Sequence, residues 1–220
     1  MKTFAASQIF RTLLGTLTLV PTGHGAVFFK LNELVFYIDP YSETTDYSTF
    51  PKADMVLFTH DHYDHYDPKA LKHLVTDKTE FIGPKCVEAH RALDKTLNNG
   101  DSCLWNGITI KAVPAYNIIN KKPDGRPYHP KGYGNGYILT FGDFVVYVAG
   151  DTELIPEMTR LGHIDVAVLP KNLPFTMSDD QFVEAARLIG APVVYPVHYF
   201  ELDKEYLERQ LGDTIKLNYE

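Results

Sequence analysis

Six consecutive residues contain three histidines and two aspartates, in the run His60-Asp61-His62-Tyr63-Asp64-His65. The run directly follows Met55-Val56-Leu57-Phe58, an apolar segment typical of a buried strand. Folding alone does not require such a cluster, whereas imidazole and carboxylate groups are common ligands of divalent metals. The run therefore predicts a metal site at the end of a buried strand, where a rigid element holds the ligands.

The bulk composition describes an ordinary globular domain with no polyanion-binding character. The 220 residues are 45% hydrophobic and 22% charged, which suits a single domain spanning residues 1–220. The net charge of −7 argues against broad attraction to nucleic acid or to anionic membranes. An anionic small molecule can still bind at a metal ion, because the charge of the ion dominates locally.

The cellular setting is also constrained by the sequence. No segment reaches the roughly 18 apolar residues of a membrane span. Arg11 interrupts the apolar N-terminal stretch and no A-x-A-like cleavage site follows, so we expect a cytoplasmic protein. Cys86 and Cys103 lie outside any C-x-x-C pattern and are expected to be small buried hydrophobic residues rather than a disulfide. A homo-oligomer is left open.

Strand-like and helix-like segments alternate along the chain. Strands are predicted at 17–20, 26–30, 34–38, 55–58, 80–82, 108–113, 136–141, 144–148, 166–169, 193–195 and 214–217. Helices are predicted at 67–74, 84–97, 178–189 and 203–211. Tight turns at 30–33 and 141–143 indicate hairpins. This order favours an α/β fold of two mixed sheets packed face to face with helices outside, a four-layer αββα sandwich.

Polar motifs follow four of the predicted strands. They are Asp39-Pro40, the run at 60–65, Gly150-Asp151-Thr152 and His198. Sites in open α/β sheets collect at such strand ends, so the four segments are expected to meet at one edge of the sandwich. The loop 119–134, rich in Lys, Pro and Gly, is the best candidate for disorder or a lid.

These motifs together resemble the signature of the metallo-β-lactamase superfamily. The pattern His60-x-His62-x-Asp64-His65, the later Gly150-Asp151-Thr152 and the final His198 occur in the order of that family, over about residues 16–217. The chain is most similar to the stand-alone metal-dependent hydrolases, a branch akin to ascorbate-phosphate lactonase and the N-acyl-phosphatidylethanolamine phospholipases. The resemblance implies the αββα fold and two divalent metal ions, zinc first, with manganese or iron as alternatives.

The resemblance also implies how the ligands are divided. His60 and His62 hold the first metal together with a third histidine. Asp64, His65 and His198 hold the second metal, and Asp151 bridges both. A hydroxide between two metals is a nucleophile at neutral pH, because the ions lower the pKa of bound water. Asp64 and Asp151 are the candidate catalytic residues.

The third ligand of the first metal departs from the family pattern. The family has a histidine after a strand near Pro114-Ala115-Tyr116, where this chain has Asn117. An amide oxygen is a poor zinc ligand compared with imidazole. Either His129 reaches the site from the long loop, helped by the flexibility of Gly132, Gly134 and Gly136, or Asn117 or water takes the place.

Other polar residues are expected around the ligands. His24, in Gly23-His24-Gly25, is expected to support a ligand or contact substrate, and Asp39 to orient a ligand histidine. Lys171 and, less favoured, Lys131 are candidates to meet an anionic substrate group, and Tyr199 to donate to a substrate oxygen. His73, His90 and His163 have no evident partners and are expected to have no functional role.

The resulting expectation is a metal-dependent hydrolase of a small, anionic ester, lactone or phosphoester. One alternative is a nuclease or phosphodiesterase acting on nucleic acid, which the acidic charge disfavours. An iron oxidoreductase is disfavoured because that branch replaces a ligand histidine by glutamate, and His62 is present. A non-catalytic metal-dependent binding protein is the other alternative, suggested by Asn117.

Overall fold

Two seven-stranded β-sheets, described over residues 8–219 in a computed structural model, form the centre of the molecule. The first sheet has, in order, β1 (Gln8–Thr12), β2 (Gly15–Gly23), β3 (Ala26–Leu31), β4 (Leu34–Ile38), β5 (Met55–Leu57), β6 (Glu80–Gly83) and β7 (Lys95–Thr96). The second has β8 (Ser102–Trp105), β9 (Ile108–Ala115), β10 (Gly134–Phe141), β11 (Phe144–Val148), β12 (Val166–Pro170), β13 (Val193–Val197) and β14 (Lys216–Leu217). The helices are α1 (Pro68–Leu74), α2 (Asp179–Ile189) and α3 (Lys204–Leu211).

The two sheets repeat one plan. In each, the first four strands pair antiparallel and the last four pair parallel. A shared apolar core separates the sheets, and in it Phe29 and Phe36 stack with ring centroids 4.7 Å apart. A second core lies between the second sheet, α2 and α3, and a third between the first sheet and α1. The predicted four-layer αββα sandwich is confirmed.

Capping residues place the helices where the sequence predicts them. The Asp67 side chain accepts the backbone N–H of Lys69, and Pro68 fills the first helical position of α1. Ser178 and Gln181 form a reciprocal capping box at the start of α2, which ends at Gly190 in the left-handed region. These local signals fix the ends of the helices independently of the rest of the fold.

The predicted helix at 84–97 is wrong. The segment forms a short 3₁₀ helix, Lys85–Ala89, and then β7, which pairs in parallel with the end of β6. The Asp94 carboxylate accepts the backbone N–H of Phe81 at 2.8 Å, which holds the chain beside the sheet. The apolar spacing is real, but Val87 and Leu97 pack into two different cores, so sheet pairing overrides the helical pattern.

Smaller expectations have mixed outcomes. Both predicted hairpins are present, between β3 and β4 and between β10 and β11, whereas β1, β7 and β8 are strands that the sequence did not predict. Cys86 and Cys103 are free, as expected, but half-buried rather than buried. Across residues 8–219, no helix has the length and apolar character needed to cross a membrane. Residues 1–7, part of the apolar N-terminal stretch considered above as a possible signal peptide, lie outside the described residues.

Candidate metal centre

Two groups of potential ligand atoms face each other at one edge of the sandwich. His60, His62 and His129 form the first group, and within it the ligand atoms all lie within 4.8 Å of one another. The second group meets the same limit and consists of His24, Asp64, His65 and His198. The four strand-end segments expected to converge do converge, and the loop carrying His129 joins them.

Asp151 lies between the two groups. Its Oδ2 atom is 3.3 Å from His129 Nε2 in the first group. The same oxygen is 3.1 Å from His198 Nε2 and 3.4 Å from His65 Nε2 in the second. A single buried carboxylate oxygen is therefore within reach of both groups, which is the geometry expected of a bridging ligand.

The turn after β5 divides its ligands between the groups. The carbonyl of His62 accepts the backbone N–H groups of His65 and Tyr66, at 3.0 and 2.8 Å. This tight turn lets His60 and His62 face one group and Asp64 and His65 the other. Asp61 accepts the Tyr133 hydroxyl at 2.8 Å and so ties the turn to the end of the His129 loop.

Close approach of backbone segments requires glycine at two points of the site. A Cβ atom on Gly134 would lie 3.0 Å from both His60 Cβ and the Thr59 carbonyl oxygen. A Cβ atom on Gly25 would lie 2.9 Å from His65 Cε1. Neither neighbour can move without displacing a candidate ligand, so both glycines are needed for packing at the site.

Backbone strain is concentrated at the site. Of the five non-glycine residues with positive φ between residues 8 and 219, three belong to it: His24 (52°), Asp39 (46°) and His198 (61°). His198 donates its backbone N–H to the carbonyl of His24 at 2.8 Å, which holds two of these strained residues together. Such conformations cost about 1–3 kcal/mol each and persist where surrounding contacts enforce them, often at functional sites.

The structure separates the roles of Asn117 and His129. His129 Nε2 lies 3.2 Å from His62 Nδ1, inside the first group. The Asn117 side-chain oxygen instead accepts both the backbone N–H and the Nδ1–H of His129, each at 2.8 Å. Asn117 thus hydrogen-bonds to His129 and is not itself one of the residues that make up the two groups. That His129 is the third ligand of the first metal stays a prediction.

Comparison with known proteins agrees with this geometry. A model of the β-lactamase superfamily domain matches residues 18–198. The chain belongs to the metallo-β-lactamase superfamily. Among its superfamily relatives, a UPF0173 metal-dependent hydrolase of Methanosphaerula palustris is 33% identical over 181 residues, covering 80% of this chain and 81% of the relative. A UPF0173 metal-dependent hydrolase of Thermus thermophilus is 32% identical over 189 residues, covering 80% and 81%.

Solved structures of the superfamily reproduce the whole fold. A crystal structure of a candidate metal-dependent hydrolase from Parabacteroides distasonis aligns with a TM-score of 0.90 at 40% identity, covering 97% of each chain. Igni18, a metallo hydrolase of Ignicoccus hospitalis, aligns with a TM-score of 0.74 at 23% identity, covering 93% of this chain and 94% of its own. The second likeness shows the fold alone.

The donor set of this superfamily member fits divalent metal ions. Three buried ring nitrogens, the Nε2 atoms of His60, His65 and His198, make no hydrogen bond within the described residues. Two of them lie near Asp151 but are not aligned for hydrogen bonding to it. Buried polar atoms without partners are costly, and a metal ion satisfies several imidazole nitrogens and carboxylate oxygens at once.

Electrostatics differ between the two groups. Burial lowers the pKa values of His60, His62 and His129, the last to about 4, so these imidazoles are neutral at pH 7 and their lone pairs are available. Burial also opposes charge on His65 and His198, but nearby carboxylates together outweigh it, Asp151 with Asp39 for His65 and Asp151 with Asp64 for His198. They raise both pKa values, that of His198 to about 9. Burial alone would raise the pKa of Asp151, but the nearby His198 and His65 outweigh that effect. The pKa of the Asp151 carboxyl therefore lies well below its usual range.

Asp39 contacts His65 on the side opposite Asp151, and its predicted role in orienting a ligand histidine stays a prediction. Its Oδ2 atom lies 2.8 Å from His65 Nδ1, and its Oδ1 atom accepts the Thr59 backbone N–H at 2.8 Å. With Nδ1–H donating to the Asp39 carboxylate, Nε2 is the ring nitrogen of His65 that faces Asp151 and the second group. Thr59, which sequence reasoning missed, also donates its hydroxyl to Asp39.

Substitution of Asp39 by asparagine tests this orientation. An amide offers His65 a weaker and more easily flipped partner, so we expect the affinity for the second metal to fall by about 10–100-fold. Titration calorimetry with Zn²⁺ measures the change. An unchanged affinity in a folded Asp39→Asn variant would contradict the orienting role, and Asp54→Asn, which caps the Val35 backbone N–H far from the ligands, serves as the control.

Of the remaining predicted site residues, His24 and Tyr199 lie beside the ligand groups and Lys171 is engaged elsewhere. His24 Nε2 lies 2.8 Å from Asp64 Oδ2, and its ring packs 3.8 Å from that of His198. Half-buried Tyr199 lines, with His24 and His198, an opening of about 230 Å³. Lys171 contacts Asp179 at 2.8 Å and the Glu201 carbonyl at 2.9 Å, so its ammonium group is engaged away from the ligand cluster.

One residue of consequence was missed altogether. Glu153, directly after the Gly-Asp-Thr motif, is fully buried and accepts hydrogen bonds from the segment 117–120. Burial opposes its charge, but these backbone and side-chain donors lower its pKa below the ordinary value. The only sequence signal was an acidic residue beside the motif, which is too common a feature to identify such a role.

Proposed function

We propose that this protein is a dinuclear metal-dependent hydrolase that cleaves an ester, lactone or phosphoester bond. The position of Asp151 supports this most directly, because one carboxylate oxygen lies within 3.1–3.4 Å of imidazoles from both ligand groups. The metal-dependent hydrolases among its relatives support the same activity class. The cytoplasmic location expected from the sequence stays a prediction.

We assign the ligands by group. His60, His62 and His129 would hold the first metal, Asp64, His65 and His198 the second, and Asp151 both. Two divalent ions there, zinc first and manganese or iron as alternatives, would supply Lewis acidity and a water whose pKa is low enough to give hydroxide at neutral pH. The imidazole and carboxylate donors suit all three metals, so chemistry alone does not choose among them.

The chain itself contributes orientation and proton handling. His24 contacts Asp64 Oδ2 at 2.8 Å and so fixes the orientation of that carboxylate relative to His65 and His198. The carboxylates of Asp64 and Asp151 lie 3.5 and 3.1 Å from Nε2 of His198, and they would accept or return a proton near the reacting centre. Tyr199, at the opening beside His198, is placed to donate to a substrate oxygen.

Charge around the site limits the substrate. The expected small anionic substrate would have to meet its positive charge at the metal ions, because Lys171 is paired with Asp179, and Lys131 with Glu157. A nucleic acid would need a row of free cationic side chains to follow its phosphates. The pairing of these two lysines and the net charge of −7 therefore favour a small molecule over nucleic acid.

Metal content and turnover together test the proposal. Protein loaded with Zn²⁺ or Mn²⁺ is expected to bind two ions per chain and to hydrolyse members of a panel of nitrophenyl esters, lactones and bis(nitrophenyl) phosphate. Asp64→Ala is expected to abolish that turnover, because it removes a second-metal ligand. Full metal occupancy with no turnover on any member of the panel would instead favour a metal-dependent binding protein.

A further inference from the structure

We propose that Glu153 is a positioning residue that presents His129 to the first metal, acting through Asn117. The inference rests on the proposed function in one respect, that a metal occupies the group formed by His60, His62 and His129. It assigns a role to a buried carboxylate that belongs to neither ligand group.

Glu153 is surrounded by neutral donors rather than by a cation. Its side chain is fully buried, and its Oε2 atom accepts the backbone N–H groups of Ile118 and Ile119 at 2.9 and 2.7 Å. Its Oε1 atom accepts the backbone and side-chain N–H groups of Asn120, both at 2.7 Å, and the Asn117 amide at 3.2 Å. A buried charge is tolerated when several donors point at it, and these five all come from residues 117–120.

The carboxylate decides which way the Asn117 amide faces. Its Nδ2 group donates to Glu153 at 3.2 Å and to the Phe175 carbonyl at 2.8 Å, and both partners are acceptors only. The amide nitrogen is therefore fixed on that side, and the amide oxygen must face His129. Reversal of the amide would place its oxygen against two acceptors.

The fixed amide in turn decides the tautomer of His129. The Asn117 oxygen accepts from the backbone N–H and from Nδ1 of His129 at 2.8 Å each, so Nδ1 carries the proton. The lone pair is then on Nε2, which lies 3.3 Å from Asp151 and 3.2 Å from His62 Nδ1. Carboxylate, amide and imidazole thus form one chain of hydrogen bonds that ends in a free ligand atom.

The loop 116–133 has two limbs, one carrying Asn117 and the other His129, and they are hydrogen-bonded to each other. Asn117 donates its backbone N–H to the carbonyl of His129 at 2.9 Å, so any shift of residues 117–120 moves the histidine as well. No helix or strand holds residues 116–133, apart from an isolated bridge between Lys121 and Pro127. Glu153 therefore holds this irregular segment in place with one side chain, whereas β5 holds the segment that carries His60.

Glu153→Gln tests the chain without changing the size of the side chain. Whichever terminal atom becomes the amide nitrogen, it faces N–H donors and can no longer accept from them. In the metal-free variant we expect the single Nδ1–H form of His129, read by long-range ¹H–¹⁵N NMR, to give way to a mixture of tautomers. In titrations with Zn²⁺ we expect the first metal to bind about 10–100-fold more weakly and the second to bind unchanged.

Glu157→Gln is the matched control. Glu157 accepts from the Tyr116 hydroxyl at 2.9 Å and from Lys131, so it joins the same two limbs of the loop without touching Asn117 or His129. We expect the NMR signals of His129 and both metal affinities to match the wild type. If this control weakens the first metal as strongly as Glu153→Gln does, general loosening of the loop explains the effect and the positioning role is wrong.

Unchanged His129 tautomers and unchanged first-metal affinity in Glu153→Gln would overturn the proposal. A tautomer change in a protein whose wild type binds no first metal would sustain the positioning role and overturn the dinuclear function instead.

Discussion

Asp151→Asn is expected to lower kcat/KM by on the order of 10³-fold, because in the proposed dinuclear site a bridging carboxylate would contribute several kcal/mol of charge stabilisation. The substitution keeps the shape of the side chain and removes its charge. Asp151 is 5% exposed and its Oδ2 atom lies within 3.4 Å of the imidazoles of His65, His129 and His198, so the lost negative charge lies at the centre of the cluster. Steady-state kinetics on the most active substrate of the ester, lactone and phosphodiester panel measures the loss.

Asp124→Asn is the control for that experiment. Asp124 is an exposed aspartate whose contacts are with Arg126 two residues along the chain, and its replacement should leave kinetics unchanged. Loss of metal should accompany the loss of turnover in Asp151→Asn, measured by mass spectrometry of the bound ions. Retained turnover within about tenfold of wild type would mean that Asp151 does not bridge two catalytic ions.

His129→Ala is expected to remove one of two bound ions and to lower kcat/KM by about 100-fold or more, because the first metal loses one of its three imidazoles. His129 is buried, and Nε2 has no competing backbone partner, so alanine leaves a gap in the ligand group rather than a rearranged hydrogen bond. Metal analysis after dialysis, together with kinetics, measures both effects. His163→Ala, at an exposed loop histidine paired only with Asp165, should retain both ions.

Retention of two tightly bound ions by His129→Ala would contradict the assignment of the third ligand. The Asn117 amide, whose oxygen contacts His129, would then be a candidate substitute from the same loop. A complementary His129→Asn variant distinguishes a ligand from a packing residue, because asparagine restores polarity and part of the volume but not an imidazole lone pair.

The αββα architecture was predictable because its signals are local and repeated. Four of the parallel strands read as short apolar runs followed by a polar motif, so the meeting of Asp39, His60–His65, Asp151 and His198 at one edge follows from topology. Helix caps at Asp67, Ser178 and Asp203 fixed three helices. Only sheet pairing, which joins residues distant in sequence, could reveal that 95–96 is a strand.

The details of the centre were less predictable for a related reason. His129 was a candidate ligand because Asn117 stands where the family pattern has a histidine, but its placement depends on the path of an 18-residue connection, 116–133, that carries no periodic pattern. The part played by Asn117 became visible only when the two acceptors of its amide N–H groups and the donor to its amide oxygen were located in space. Glu153 could not be singled out, because five hydrogen bonds to residues more than 30 positions earlier leave no trace in the local sequence.

A crystal structure of the metal-loaded protein, with anomalous scattering recorded at the zinc edge, tests the central claim most directly. We predict two anomalous peaks on either side of Asp151 Oδ2, one contacted by His60, His62 and His129 Nε2 and the other by Asp64, His65 and His198. His129 turned away from the first peak would contradict the third-ligand assignment, and a single peak held by the second group alone would contradict the dinuclear centre.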